Sequence, residues 1–279
     1  MKNVVITGST RGIGFGMASA FLERGCSVAI SGREQDSVQR ALGQLREEET
    51  AGTAYGYACD VCDATQVQAL WWNSREDMGH IDIWINNAGV NGSPKAAWEN
   101  SPQEAEQVVR TNILGVVHGS QVALNGMLDQ GFGAIYNMEG MGSDGGIRAG
   151  MVLYGMTKRA VSYFTRGLIK EAKSTPLVIG TLRPGMVITD LITDAYRGHP
   201  EEWERVKGIF NIIADRVESV APWLVDRIDK GVHKRALAAA ASKLSVVRAE
   251  LHNDAGVIGT GALAIRSFGG GAPNGGQES

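Results

Sequence analysis

The stretch Lys2-Asn3-Val4-Val5-Ile6-Thr7-Gly8-Ser9-Thr10-Arg11-Gly12-Ile13-Gly14 decides the fold. Residues 2–6 read as a short apolar strand, and Thr7 to Gly14 as a glycine-rich loop that opens a helix. Glycines permit the tight turn and let the backbone approach a pyrophosphate. The helix N-terminus adds amide donors and the positive end of its dipole. The contacts expected from this loop are Gly8, Ser9, Thr10, Arg11, Gly12, Ile13 and Gly14.

Outward from this unit the same order repeats. Strand candidates at 27–31, 53–58, 81–86, 133–138 and 177–182 alternate with helical stretches near 13–24, 34–48, 63–79, 102–130 and 151–173. Strict β-α alternation predicts an α/β fold, a doubly wound parallel sheet of Rossmann type with helices on both faces. One domain is expected over residues 1–265, with a helical lid at about 190–250 over the carboxyl ends of the strands, where ligands bind in such sheets. The late strand candidate Val257 to Ile265 is interrupted by small residues, and the glycine-rich segment 266–279 reads as a disordered tail.

The bulk properties narrow the class. With 279 residues, 43% of them hydrophobic, there is material for a sizeable core. A net charge of −3 gives no surplus for nucleic acid or an anionic membrane. No apolar run approaches the ~18 residues of a membrane span, and a strand from residue 2 leaves no room for a signal peptide. The expected location is cytoplasmic. Three cysteines exclude a disulfide framework, and the Cys59-x-x-Cys62 pair has no second pair or histidine cluster with which to hold a metal.

The strand ends carry the chemistry. After the second strand, Ser31-Gly32-Arg33 stands where an acidic residue would bond adenosine ribose hydroxyls. With Arg11 facing it, Arg33 suits a 2′-phosphate and favours NADPH; otherwise it is a solvated residue at a helix start. Asp60 and Val61 end the third strand, where the Asp60 carboxylate can accept from an adenine amino group or cap the next helix. Asn86-Asn87-Ala88-Gly89 ends the fourth; its small residues let backbone pass beneath a cofactor, and its asparagines can tie neighbouring strands together. Pro184-Gly185-Met186-Val187-Ile188-Thr189 ends the sixth and brings backbone and a hydroxyl to the same rim.

Tyr154 and Lys158, four apart, share one helix face. A neighbouring ammonium favours the phenolate and draws a tyrosine down from its usual ~10, which makes Tyr154 a candidate proton donor and acceptor.

Taken in order, Thr7 to Gly14, Asp60, Asn86 to Gly89, Asn112, Tyr154 to Lys158 and Pro184 to Thr189 resemble the short-chain dehydrogenase/reductase family. The resemblance covers residues 1 to about 195. It implies that Tyr154 is the catalytic acid/base and that Lys158 lowers its pKa and holds the nicotinamide ribose. Asn112 would anchor a proton-relaying water, and Val187 would meet the nicotinamide amide. Asn87, Ala88 and Gly89 would pack near adenosine and ribose, and homodimers or homotetramers would form through the long helices.

One departure stands out. The family usually has a serine about thirteen residues before the tyrosine, where this chain has Gly140 or Met141; Ser143 lies eleven before it. Either Ser143 reaches back through a glycine-rich bend, or another group polarises the carbonyl.

The stretches 81–89, Asn137 to Gly145, Tyr154 to Arg159 and Pro184 to Leu191 are similar to the chlorophyll b reductases. That resemblance implies NADPH-dependent reduction of the 7-formyl group of chlorophyll(ide) b to hydroxymethyl. Glu139, Met141 and Met186 are the substrate candidates, and Met151, Met156, Trp203, Phe210 and Trp223 are candidates for an apolar rim. The competing readings are a reductase or dehydrogenase for another bulky ketone, aldehyde or alcohol, and a cofactor-binding protein that lost catalysis with the serine. An intact Asn112, Tyr154 and Lys158 speaks against the second.

Overall fold

The computed structural model describes residues 1–48, 50–185, 187–189 and 215–242. The main body is Met1–Val232, and beyond it the described chain is helical to Ser242. Met186, the first part of the expected lid, the strand candidate at 257–265 and the tail lie outside the described residues.

Six strands, β1 (Asn3–Ile6), β2 (Ser27–Gly32), β3 (Thr53–Ala58), β4 (Ile83–Asn86), β5 (Ala134–Met138) and β6 (Val178–Leu182), form one parallel sheet ordered β3-β2-β1-β4-β5-β6. Chain order reverses between β1 and β4, which pair with Val4 opposite Ile83. A crevice therefore opens at the carboxyl ends of these two strands, where ligands bind in doubly wound sheets. A short parallel pair, β7 (Val187–Ile188) with β8 (Asp215–Arg216), follows.

Alternation along each strand feeds two cores, because successive side chains leave opposite faces. Val4, Ile6, Ile30, Ile83 and Ile85 pack on one face with Met17 and Phe21 of α1 (Gly12–Glu23) and Val38 and Leu42 of α2 (Gln35–Glu47). Val5, Ala29, Trp84 and Ile135 pack on the other with Val67, Leu70 and Trp71 of α3 (Ala64–Met78). Both faces are covered, so the strands read as continuous apolar runs rather than alternating ones. Each fully buried side chain of this size contributes about 1.5–3 kcal/mol.

The stretch expected as one helix at 102–130 is three pieces. These are α4 (Pro102–Val109), a π turn (Arg110–Leu114) and α5 (Gly115–Gln130). A Ser101/Glu104 capping box starts α4, and left-handed Gly131 closes α5 with its amide on the Met127 and Leu128 carbonyls. The next helix, α6 (Val152–Glu171), carries Tyr154 and Lys158.

The part of the expected lid from Val217 to Val232 packs into the core, and 243–250 lie outside the described residues. In α7 (Val217–Ser242), Val220, Ala221, Leu224, Val225 and Ile228 are buried in the first cluster, beside Ile6 and Phe21. Apolar residues spaced along one helix face serve a lid and a core equally well on paper. Among the described residues no helix is long and apolar enough to cross a membrane.

Candidate active site

The loop after β1 is braced from below. Ser9 Oγ donates to the Ile6 carbonyl at 2.6 Å and accepts the Ser31 amide at 3.0 Å. Ser9 is thus buried support beneath the loop, behind the residues that line the cavity. Thr7 Oγ1 accepts the amides of Asn87 (3.0 Å) and Ala88 (3.2 Å), and Asn87 Nδ2 donates to the carbonyls of Thr7 and Gly8, both at 2.9 Å. A Cβ on Gly14 would come within 2.4 Å of Asn87 Nδ2, so this approach requires glycine there.

A cavity of about 670 Å³ runs from this loop to Tyr154. Of the expected cofactor contacts, Gly8, Thr10, Arg11, Gly12, Ile13, Gly14, Arg33, Asp60, Val61, Asn87, Ala88, Gly89, Pro184, Gly185, Val187 and Thr189 line it. Asp60 does not cap α3: its Oδ1 accepts the Cys62 amide at 2.9 Å, while Asp63 takes the amides of Thr65 and Gln66. The Cys59 thiol is buried and pushed up to about 12 by desolvation, and both cysteines of the pair are free.

The expected tie between strands is present. Asn86 Nδ2 donates to Asn137 Oδ1 (2.8 Å) and Ser120 Oγ (3.1 Å), and Asn86 Oδ1 accepts Trp84 Nε1 at 2.8 Å. Asn137 Nδ2 in turn reaches Thr165 Oγ1 at 2.9 Å, so β4, β5, α5 and α6 share one buried polar network.

Asn112 sits in the π turn, fully buried and outside the cavity lining. Its Nδ2 donates to the Val90 carbonyl (2.8 Å) and Thr157 Oγ1 (3.0 Å), and its Oδ1 accepts the Val90 amide (2.8 Å). Thr157 donates to the Tyr154 carbonyl at 2.7 Å. Asn112 therefore locks the first turns of α6 to the segment after β4. π turns of this kind are frequent at functional sites.

Tyr154 and Lys158 are both buried, and their electrostatics run against expectation. Desolvation pushes Tyr154 up to about 12 instead of down. Lys158 Nζ donates to the Met138 carbonyl at 3.0 Å and stands 5.7 Å from the Tyr154 ring centre. Desolvation lowers Lys158 to about 8, opposed by the negative charge of Glu139. Tyr154 accordingly keeps its proton at neutral pH, the state that a proton donor needs.

The segment after β5 settles which position faces the tyrosine. A Cβ on Gly140 would lie 2.4 Å from Tyr154 Oη, so Gly140 stands where a side chain would meet the hydroxyl. Gly142, at φ +90, lays the chain against Gly155 on α6; a Cβ there would be 2.6 Å from the Gly155 Cα. Ser143 is 1% exposed and lines the cavity, and its Oγ has no hydrogen-bond partner among the described residues. It is bonded neither to Tyr154 nor turned to solvent.

Glu139 is 4% exposed and held by Arg183, whose Nε (3.0 Å) and Nη2 (2.6 Å) both donate to Oε2. Sequence reasoning missed Arg183. Its position directly after β6 and before Pro184 was the available signal, because that strand end was already assigned to the rim. Of the expected apolar rim, Met141 and Met151 line the cavity; Met156 and Trp223 are exposed outside it, and Met186, Trp203 and Phe210 lie outside the described residues.

Residues 2–199 match the short chain dehydrogenase family. The chain is 38% identical over 231 residues to chlorophyll(ide) b reductase NOL, chloroplastic, of Arabidopsis thaliana, covering 81% of this chain and 65% of that protein. It is 35% identical over 243 residues to the probable chlorophyll(ide) b reductase NYC1, chloroplastic, of Oryza sativa subsp. japonica, covering 81% of this chain and 47% of that protein. Among solved structures, an actinorhodin polyketide ketoreductase variant with NADPH is similar at TM-score 0.74 and 26% identity, over 84% of this chain and 92% of that one. Sheet order, the Tyr154–Lys158 pair on α6 and these likenesses agree: this chain belongs to the short chain dehydrogenase family.

Proposed function

We propose that the protein reduces the 7-formyl group of a chlorophyll(ide) b-type tetrapyrrole to hydroxymethyl, with NADPH as the reductant. The observation that carries this reading is the segment beside Tyr154. Gly140 removes the side chain that would crowd the hydroxyl, which leaves room for the edge of a broad ring system. The likeness to NOL supports the same substrate class.

The residues fit a dinucleotide. Glycine backbone lines the cavity after β1, and Arg33 at the adenosine end has no ion pair among the described residues. Arg33 and Arg11 would hold the 2′-phosphate, Asp60 and Val61 the adenine, Asn87 to Gly89 the ribose, and Val187 and Thr189 the nicotinamide amide. Bound there, the cofactor supplies hydride. Tyr154 gives its proton to the developing alkoxide, and Lys158 holds the ribose and refills the proton. Asn112 fixes the helix that carries both. Ser143 donates to the formyl oxygen from its unsatisfied buried hydroxyl, a group that otherwise has no account. Met141 and Met151 offer an adaptable apolar surface to the ring.

Purified protein incubated with NADPH and chlorophyllide b should shift the pigment absorption from the formyl to the hydroxymethyl form. A spectrum unchanged while a ketone or steroid alcohol turns over would replace this substrate class. For the cofactor, Arg33→Ala should weaken NADPH by about 1.5–3 kcal/mol, the scale of a charged hydrogen bond, with little effect on NADH. Equal losses for both would remove the 2′-phosphate role.

A further inference from the structure

Among the described residues, five cations line the cavity: Arg11, Arg33, Arg148, Lys158 and Arg183. Three already have a partner within the protein, which leaves Arg11 and Lys158 still able to reach the cofactor. Lys158 donates to the Met138 carbonyl, Arg183 to Glu139, and Arg11 has a partner of its own. Arg33 and Arg148 have neither ion pair nor side-chain hydrogen bond among the described residues.

These two arginines stand on different parts of the rim. Arg33 directly follows β2, and Arg148 lies in the loop between β5 and α6. The carboxyl ends of β2 and β5 are three strand positions apart, about 14 Å at ~4.8 Å per strand. Arg33 belongs to the cofactor end. Arg148 belongs to the substrate end, in the loop between Ser143 and Tyr154, where a Cβ added to Gly150 would come 3.8 Å from the backbone of Pro94 and Lys95. The acids lining this end are already engaged: Glu139 by Arg183, and Asp144 by the Gly146 amide at 3.0 Å. The residue before Arg148 is Ile147, which is 90% exposed. A lone guanidinium beside apolar surface at the cavity mouth suits a largely apolar ligand that carries one carboxylate.

We propose that Arg148 is a specificity residue that recognises a carboxylate on the substrate. Resting on the tetrapyrrole reading above, this means that the protein prefers the free-acid pigment to its esterified form. The carboxylate lies away from the reacting formyl group, so it fixes which edge of the ring enters beside Tyr154.

The test is equilibrium binding, by fluorescence titration, of chlorophyllide b and of its methyl ester, which share one ring and differ in one charge. Wild-type protein should bind the acid roughly 10–100-fold tighter than the ester, as one charged contact predicts. The preference should shrink as salt is raised. Arg148→Ala should bring the acid down to the ester's affinity, and Arg148→Lys should restore part of the difference. Equal binding of acid and ester by wild type, or a preference that survives Arg148→Ala, overturns the assignment and leaves the tetrapyrrole reading intact. Failure of both pigments to bind would instead sink the tetrapyrrole reading, and this assignment with it.

Discussion

At the scale of single residues, burial sets the proton inventory of the site. Tyr154, raised to about 12, stays protonated at working pH, and Lys158, lowered to about 8, is the group that titrates there. Tyr154→Phe should lower kcat by about 100-fold or more while leaving cofactor affinity nearly intact, since only the proton is lost. A variant that kept over a tenth of the rate would contradict the role. The sign of the pH dependence follows from Lys158. Its ammonium form holds below about 8, so kcat/KM for the cofactor should fall as pH rises through that value. A profile flat to pH 10 would show that its charge is dispensable. The identity and spacing of these two side chains were legible in the chain itself. Their pKa values were not, because burial is a property of the whole packing and here outweighs the pair's mutual charge.

At the scale of elements, the segment from Met138 to Met151 separates this chain from an ordinary family site. The serine expected about thirteen residues before Tyr154 is missing, and geometry shows that Gly140 stands in the vacated position. Sequence spacing had left Gly140 and Met141 equally eligible, because a loop with left-handed glycines does not keep strand register. Ser143→Ala should slow formyl reduction by roughly 10–1000-fold if its buried hydroxyl donates to the substrate oxygen. A rate within twofold of wild type, measured with saturating cofactor, would leave Tyr154 as the sole donor. The six strands, by contrast, were readable almost to the residue, since each is an apolar run bounded by a turn or a helix start. The π turn at Asn112 was not: it breaks no hydrophobic period and announces itself only in the backbone. The Glu139–Arg183 pair escaped notice for a related reason, as it joins the ends of two neighbouring strands 44 residues apart.

At the scale of the whole molecule, the sheet order places every strand end that carries a candidate site residue on one rim. Topology therefore does most of the assembly that motif spacing only hinted at. The first turns of α7, up to Val232, were expected in a lid and instead fill the core. One further surface has a consequence for assembly. Val152, Met156 and Tyr163 are exposed on one face of α6, spaced for a continuous stripe. We expect this face to be covered by a second copy about a two-fold axis, so light scattering at micromolar concentration should give at least a dimer. A monomer, unchanged by Tyr163→Glu, would contradict that.

The central claim, hydride delivery to a pigment formyl carbon, is tested most directly by isotope transfer. With NADPH deuterated on the transferring face of its nicotinamide and chlorophyllide b as substrate, mass spectrometry of the pigment should show one deuterium on the new hydroxymethyl carbon. That label should appear with wild-type protein and vanish with Tyr154→Phe. NADPH consumption that leaves the pigment unlabelled would contradict the account.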